Sequence, residues 1–252
     1  MASPALIIIL KKVMSHVKNL QAFEKLLGVC TGLEGRYNPG NQNLQVNAMA
    51  TLLSLAQQSC EEVKEAAQAY DLATNNRQLG FERIRKLSSN VYSMLRACGA
   101  NELALKDAQN ARRRVWGARI TETPVDEVGK PIERPAGARP SYSRSYAVIV
   151  EYFERLVTIV ATDPLYGAYE PELTIASLQE TVVDLHRLNK AVTDAEVALD
   201  EARRRRNTIW YLAQQNLVDT AISVRSYVRG AFGFQSQQHL QIQKIRFTKP
   251  PL

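Results

Sequence analysis

The sequence predicts an all-α protein made of two tandem, internally duplicated helical units, and three observations carry that expectation. First, the stretch Leu44–Phe81 recurs without a gap as Leu173–Trp210, at a constant shift of 129: Leu44 falls on Leu173, Val63 on Val192, Asp71 on Asp200 and Arg77 on Arg206. Second, apolar residues in both copies alternate at spacings of three and four over more than three heptads, the signature of a helix that buries one seam. Third, Gly and Pro are absent from Leu44 to Leu79 and gather instead between the helical stretches. A search for repeats precedes any search for motifs, because a missed duplication misreads the whole fold.

Taken in order, residues 4–31 read as a helix. Pro4 suits a first helical position after Ser3, and Leu6, Ile9, Leu10, Val13, Val17, Leu20, Phe23, Leu26 and Leu27 recur mostly three or four apart. Residues 32–42, GLEGRYNPGNQ, form a turn or short loop. The first long copy then places Val46, Met49, Leu53, Ala56, Cys60, Val63, Ala67 and Tyr70 on one seam, on a helix on the order of 50 Å long. Ser88-Ser89-Asn90 reads as an N-cap cluster opening a separate short helix to Cys98, closed by Gly99. Asn101 with Glu102 opens another, through about Trp116.

Residues 118–142 carry Pro124, Pro131, Pro135 and Pro140, so they read as a Pro-rich linker or arm. Helix resumes near Ser143, breaks at Asp163-Pro164 and the loop to Pro171, and continues through the second long copy. That copy repeats the seam as Ile175, Leu178, Val182, Leu185, Asn189, Val192 and Leu199, with polar Asn189 at a position that can set helix register. A last helix covers Val218–Phe232. The domain plan is therefore 1–117 for unit one, 118–142 for the linker, 143–232 for unit two and 233–252 for a basic tail. Similar units invite pseudo-twofold packing, with the two long helices side by side in a four-helix-bundle-like core. Flanking matches extend the repeat: Phe23-Glu24-Lys25-Leu26 answers Phe153-Glu154-Arg155-Leu156, and Tyr37-Asn38-Pro39 answers Tyr169-Glu170-Pro171. Downstream, Val91, Ser93 and Arg96 answer Val224, Ser226 and Arg229 at a shift of 133, so four residues have been inserted.

The chemistry search returns little. His16, His186 and His239 are single, with no second ligand at a metal-like spacing, and no phosphate loop or nucleophile elbow is present. Cys30, Cys60 and Cys98 are odd in number and far apart, which suits free thiols in a reducing compartment. The run Ala5–Leu10 lacks the preceding basic residues of a secretory signal. A cytoplasmic protein with no membrane span, cofactor, metal or small-molecule substrate is expected. The net charge of +7 leaves room for an acidic partner. The candidates for such contacts are Arg203, Arg204, Arg205 and Arg206, with Arg225, Arg229, Lys244 and Arg246 towards the C-terminus. Four consecutive residues span more than a helical turn, so the run cannot face one surface, and Glu196, Asp200 and Glu201 lie within pairing reach. Ile245 and Phe247 alternate in the tail and are candidates for packing on a neighbouring copy. Phe81 and Trp210 read as core rather than as a base-stacking platform.

The segments Tyr169–Leu178, Asn216–Asp219, Val224–Gly230, Gln241–Phe247 and, in the first half, Leu95–Glu102 together resemble a set of uncharacterised bacterial proteins with the same duplicated helical plan. The resemblance covers most of the chain and rests on structural motifs. It implies a shared all-helical fold and carries over no activity or functional residue; the Arg203–Arg206 run departs from its pattern. The expected function is a non-enzymatic helical scaffold or assembly protein, acting through self-association as a homo-oligomer or by binding another protein. A nucleic-acid-binding module using the arginine run and the basic tail is the alternative.

Overall fold

The computed structural model describes the backbone of residues 4–117 and 145–248, with side chains from His16 onward. The Pro-rich segment 118–142 lies outside the described residues, as do the side chains of the first apolar run. Every regular element described is helical: α1 (Pro4–Gly32), α2 (Val46–Ala97), α3 (Glu102–Val115), α4 (Tyr146–Thr162), α5 (Ile175–Asn207), α6 (Leu217–Phe232) and α7 (Gln237–Gln243). Short 3-10 turns at Gln42–Leu44 and Pro171–Leu173 lead into the two long helices, and a π-helical turn, Thr208–Leu212, ends α5. Among the described residues no helix is long and apolar enough to cross a membrane.

Two compact units result, and neither is one half of the sequence. One contains Met1–Gln68 with Val197–Leu252, the other Ala69–Glu196. The chain passes between them within α2 and again within α5. The expected boundaries 1–117 and 143–232 mark the repeated sequence; the compact units cut across them.

The unit holding both termini buries Phe23, Leu26 and Cys30 of α1, Met49 and Ala56 of α2, Trp210 and Tyr211 of the π turn, Leu217, Val218, Ala221, Val224 and Val228 of α6, and Ile242 of α7. The buried face of α1 is 16, 19, 23, 26 and 30, so His16 and Asn19 face inward, where the sequence stripe had placed Val17 and Leu20; Val17 is exposed. His16 is admitted because its ring meets Trp210 edge-on, with centroids 5.1 Å apart. Each fully buried Phe or Leu contributes about 1.5–3 kcal/mol relative to exposure, so one apolar face of this length outweighs two buried polar residues that have partners.

The central unit buries Phe81, Ile84, Val91 and Leu95 of α2, Ala108, Ala111 and Val115 of α3, Val150, Phe153, Leu156, Val157 and Val160 of α4, and Leu178, Val182 and Leu185 of α5. Here Tyr146 meets Phe81 edge-on at 4.7 Å. At Gly80 a Cβ would lie 2.5 Å from Leu188 Cδ1, so the Leu188 side chain of α5 lies against α2 there.

The structure corrects several local expectations. Helix α2 does not stop before Ser88: the Ser88 and Ser89 hydroxyls both donate to the Arg85 carbonyl one turn back, at 2.7 and 3.3 Å, so these serines bond inside the helix instead of capping a new one. Gly99, at φ +82°, does end it. Asn101 caps α3 through the Ala104 N–H. Helix α5 closes in its π turn and the chain restarts as α6 at Asn216, whose side chain accepts from Asp219 N. Helix α7 was missed; Ser236 caps it through His239 N at 3.1 Å. The tyrosine equivalent to Tyr37 is Tyr166 rather than Tyr169. Tyr37 Oη donates to the Leu44 carbonyl and Tyr166 Oη to the Leu173 carbonyl, each at 2.8 Å and each across seven residues, while Tyr169 is 99% exposed.

Two predictions follow from these tyrosines and the neighbouring thiol. Tyr37→Phe and Tyr166→Phe each leave a buried carbonyl unpaired and are expected to cost about 1–3 kcal/mol in urea unfolding. Tyr169→Phe is expected to stay within about 0.5 kcal/mol. Equal effects at all three would contradict the assignment.

Burial pushes Cys30 up from its ordinary 9.0 to about 11, raises Tyr166 from 10.0 to about 12, and raises Tyr37 further. The folded chain therefore keeps protons that the unfolded chain releases. This stabilisation is complete below the ordinary values and is lost as pH rises through the raised ones. Stability is expected to fall between pH 9.0 and about 12, less steeply in Cys30→Ala; a profile unchanged by that substitution would overturn the assignment to Cys30.

Candidate functional site

The arginine run lies at the end of α5 in the terminal unit. Arg203 Nη1 pairs with Asp200 Oδ1 at 3.2 Å, Arg204 Nε donates to the Asp200 carbonyl at 3.4 Å, and Arg205 Nη1 approaches Glu62 Oε2 at 3.7 Å. Arg206 is half-buried and donates to Asn207 Oδ1 at 3.3 and 3.0 Å. Burial lowers its pKa, opposed by Cys60 and Tyr211 nearby. The run fans around the helix as its spacing requires, and each arginine has a local acceptor. These exposed pairs are worth little in stability, about 0–1 kcal/mol each.

The other basic candidates separate into two kinds. Lys244 and Arg246 are exposed on the tail. Arg225 and Arg229 of α6 instead stack on aromatics, Arg225 at 5.7 Å from the Phe247 ring centre and Arg229 at 5.1 Å from that of Phe234. Arg225 is half-buried, its Nε and Nη2 have no hydrogen-bond partner, and burial lowers its pKa. It serves the packing of Phe247 more than it presents a charge.

The most constructed arrangement in this unit holds residues 244–248. Asn19 is fully buried on α1, and its amide grips one peptide unit pair: Asn19 Oδ1 accepts from Thr248 N at 2.8 Å, and Asn19 Nδ2 donates to Thr248 O at 2.7 Å and to Tyr211 Oη at 3.4 Å. Phe247 meets the buried Phe23 ring edge-on at 6.4 Å. Ile245 packs against the same core and lines one wall of an open cavity of about 590 Å³, with Lys25, Gly28, Val29, Gly32, Leu33 and Gln241. Both apolar tail residues singled out in the sequence thus lie on their own chain. Asn19 and Arg225 carry the seat, and sequence reasoning missed the first. Its signal was an Asn at the i−4 position from Phe23 on an apolar face.

The central unit offers a different feature, a groove of about 510 Å³ whose lining includes Gly80, Arg83, Lys86, Glu172, Thr181 and Asp184. Arg83 and Glu172 approach within 3.6 Å across it. Opposite charges there compensate each other instead of selecting a charged ligand. His186 sits 3.5 Å from Glu154, and His239 Nδ1 is 2.8 Å from the Phe234 carbonyl. Among the described residues no group of three His, Cys, Asp or Glu side chains is placed to hold a metal ion.

Compared with protein-family models, with characterised proteins and with solved structures, the chain matches none.

Proposed function

We propose that the chain is a non-enzymatic helical scaffold that acts through self-association or by holding a protein partner. The observation that carries this reading is on α2: Leu72 and Leu79, seven residues apart and therefore on one face of the helix, are 62% and 63% exposed. Single exposed leucines are ordinary, but a pair in heptad register is an unfinished seam of the kind a second helix covers. Val183 of α5, in the same unit, is exposed to a similar degree, at 65%.

The scaffold reading includes a structural one: the two units are versions of one plan, each a cluster of helical segments drawn from both copies of a duplicated sequence, four in the central unit and five in the terminal one. Equivalent details support it. His16 on Trp210 and Tyr146 on Phe81 are edge-on pairs with interplanar angles of 77° and 79°. The two residues of each pair come from different copies, and each is replaced by its counterpart in the other unit. The tyrosine-to-carbonyl bonds and the 3-10 turns before α2 and α5 match at the same shift of 129.

Nucleic acid binding is the second reading, supported by exposed Arg203, Arg204, Arg205, Lys244 and Arg246 in one unit. Its signature would be an affinity falling steeply with salt.

The test is native mass by light scattering over a concentration series after nuclease treatment. The scaffold reading in its self-associating form predicts a mass above 28.2 kDa that rises with concentration and is reduced by Leu72→Lys with Leu79→Lys. A mass fixed at the monomer value, with a partner retained on neither form in pull-down, would overturn it. Binding to single- or double-stranded DNA that weakens with salt would favour the second reading.

A further inference from the structure

We propose that the seat formed by Asn19, Phe23 and Arg225 binds residues 244–248 of a second copy of this chain, so that exchange of this short segment links two molecules. The inference rests on the self-associating form of the scaffold reading and adds to the Leu72 and Leu79 face a second contact, made by the tail.

The fit of the occupant is already visible, because the seat holds the chain's own segment. Asn19 is specific for a peptide backbone: one carbonyl oxygen and one amide group, fully buried, engage both the N–H and the C=O of a single residue. Such a side chain recognises extended backbone, as a neighbouring strand would in β-augmentation. Phe247 supplies the side-chain anchor, held between the edge of Phe23 and the Arg225 guanidinium. That guanidinium keeps Nε and Nη2 buried without an acceptor, so the ring is the contact it has there. Two anchors two residues apart, Ile245 and Phe247, lie inward with the exposed Arg246 between them.

The segment is also easy to release. It leaves α7 through a single turn at Lys244, Ile245 and Phe247 are only half-buried, and Lys244, Arg246 and Thr248 are exposed. Opening breaks the Asn19 bonds and the Phe247 contacts, and closing on a second copy restores the same set. That equality makes exchange of identical elements a low-cost route to a symmetric pair. The tethered segment competes at an effective concentration on the order of millimolar, so exchange is favoured at high protein concentration.

The test uses the full chain and has two readings. The first is native mass against concentration for the natural sequence and for Phe247→Ala with Thr248→Pro, which removes the ring and the N–H that Asn19 accepts. Both substitutions lie beyond the last helix, so the helical circular dichroism serves as the folding control. A lower mass than the natural sequence at each concentration is expected in the variant. The second reading titrates an amidated peptide of residues 243–248, fluorescently labelled, with that same variant, whose seat is free. Saturable binding is expected, at least about tenfold weaker for the peptide carrying Phe247→Ala. Asn19→Ala added to the variant should abolish it; should Asn19→Ala unfold the chain, Arg225→Ala serves instead. If the natural chain assembles and the tail variant assembles equally, or if the peptide does not bind, the exchange is wrong while self-association stands. If the natural chain stays at 28.2 kDa throughout, both fail.

Discussion

An amphipathic helix longer than any single partner has to find cover along its whole length, and that constraint organises this molecule. Helix α2 has 52 residues and α5 has 33. At about 1.5 Å per residue, α1 with 29 residues or α4 with 17 cannot span α2. Helix α2 therefore divides its apolar seam between two cores, and α5 runs from one unit into the other. The first part of α2 contributes Met49 and Ala56 to one, and its last part contributes Phe81, Ile84, Val91 and Leu95 to the other. The segments that complete each core come from the opposite half of the chain, which is why the compact units cannot be the sequence halves.

The same constraint bears on function. Where cover is complete, as around Trp210 or Phe153, polar groups are few and have local partners. Where it is not, apolar surface is left for something else, as at Leu72 and Leu79. The tail shows a related economy. In the central unit α3 is a 14-residue helix packed on α4, whereas in the terminal unit α7 has seven residues and the chain then passes Asn19 outside any helix. A segment outside a helix does not satisfy its own backbone. Asn19 supplies what a longer helix would have supplied internally, and in doing so it makes a seat specific for backbone.

Much of this was legible in the residues. Seam spacing located the long helices, and cap chemistry placed the stop at Gly99 and the start of α3 at Asn101. The change of shift from 129 to 133 falls where the second long helix ends in the π turn and α6 begins at its Asn216 cap. Local signals failed where a residue had two uses. Ser88 and Ser89 have the chemistry of a cap but bond back to Arg85 within a helix whose Val91 and Leu95 face is held by tertiary packing. Tyr169 stood beside a proline as Tyr37 does, yet Tyr166 makes the equivalent bond, because position relative to the carbonyl matters and neighbouring identity does not. The inward turn of His16 and Asn19 depended on partners about two hundred residues away. Periodicity says which face of a helix is apolar; it does not say which segment will lie on it, and so the composition of the units, the seat included, was out of reach.

The central claim is that each compact unit is completed by both halves of the chain. The most direct measurement is to insert a specific protease site within residues 118–142, cleave to completion and determine the native mass and circular dichroism without denaturant. The account predicts that the two fragments remain together at the mass of the uncut protein and keep its helical signal, separating only on denaturation. Fragments that part under native conditions, each folded on its own, would contradict it.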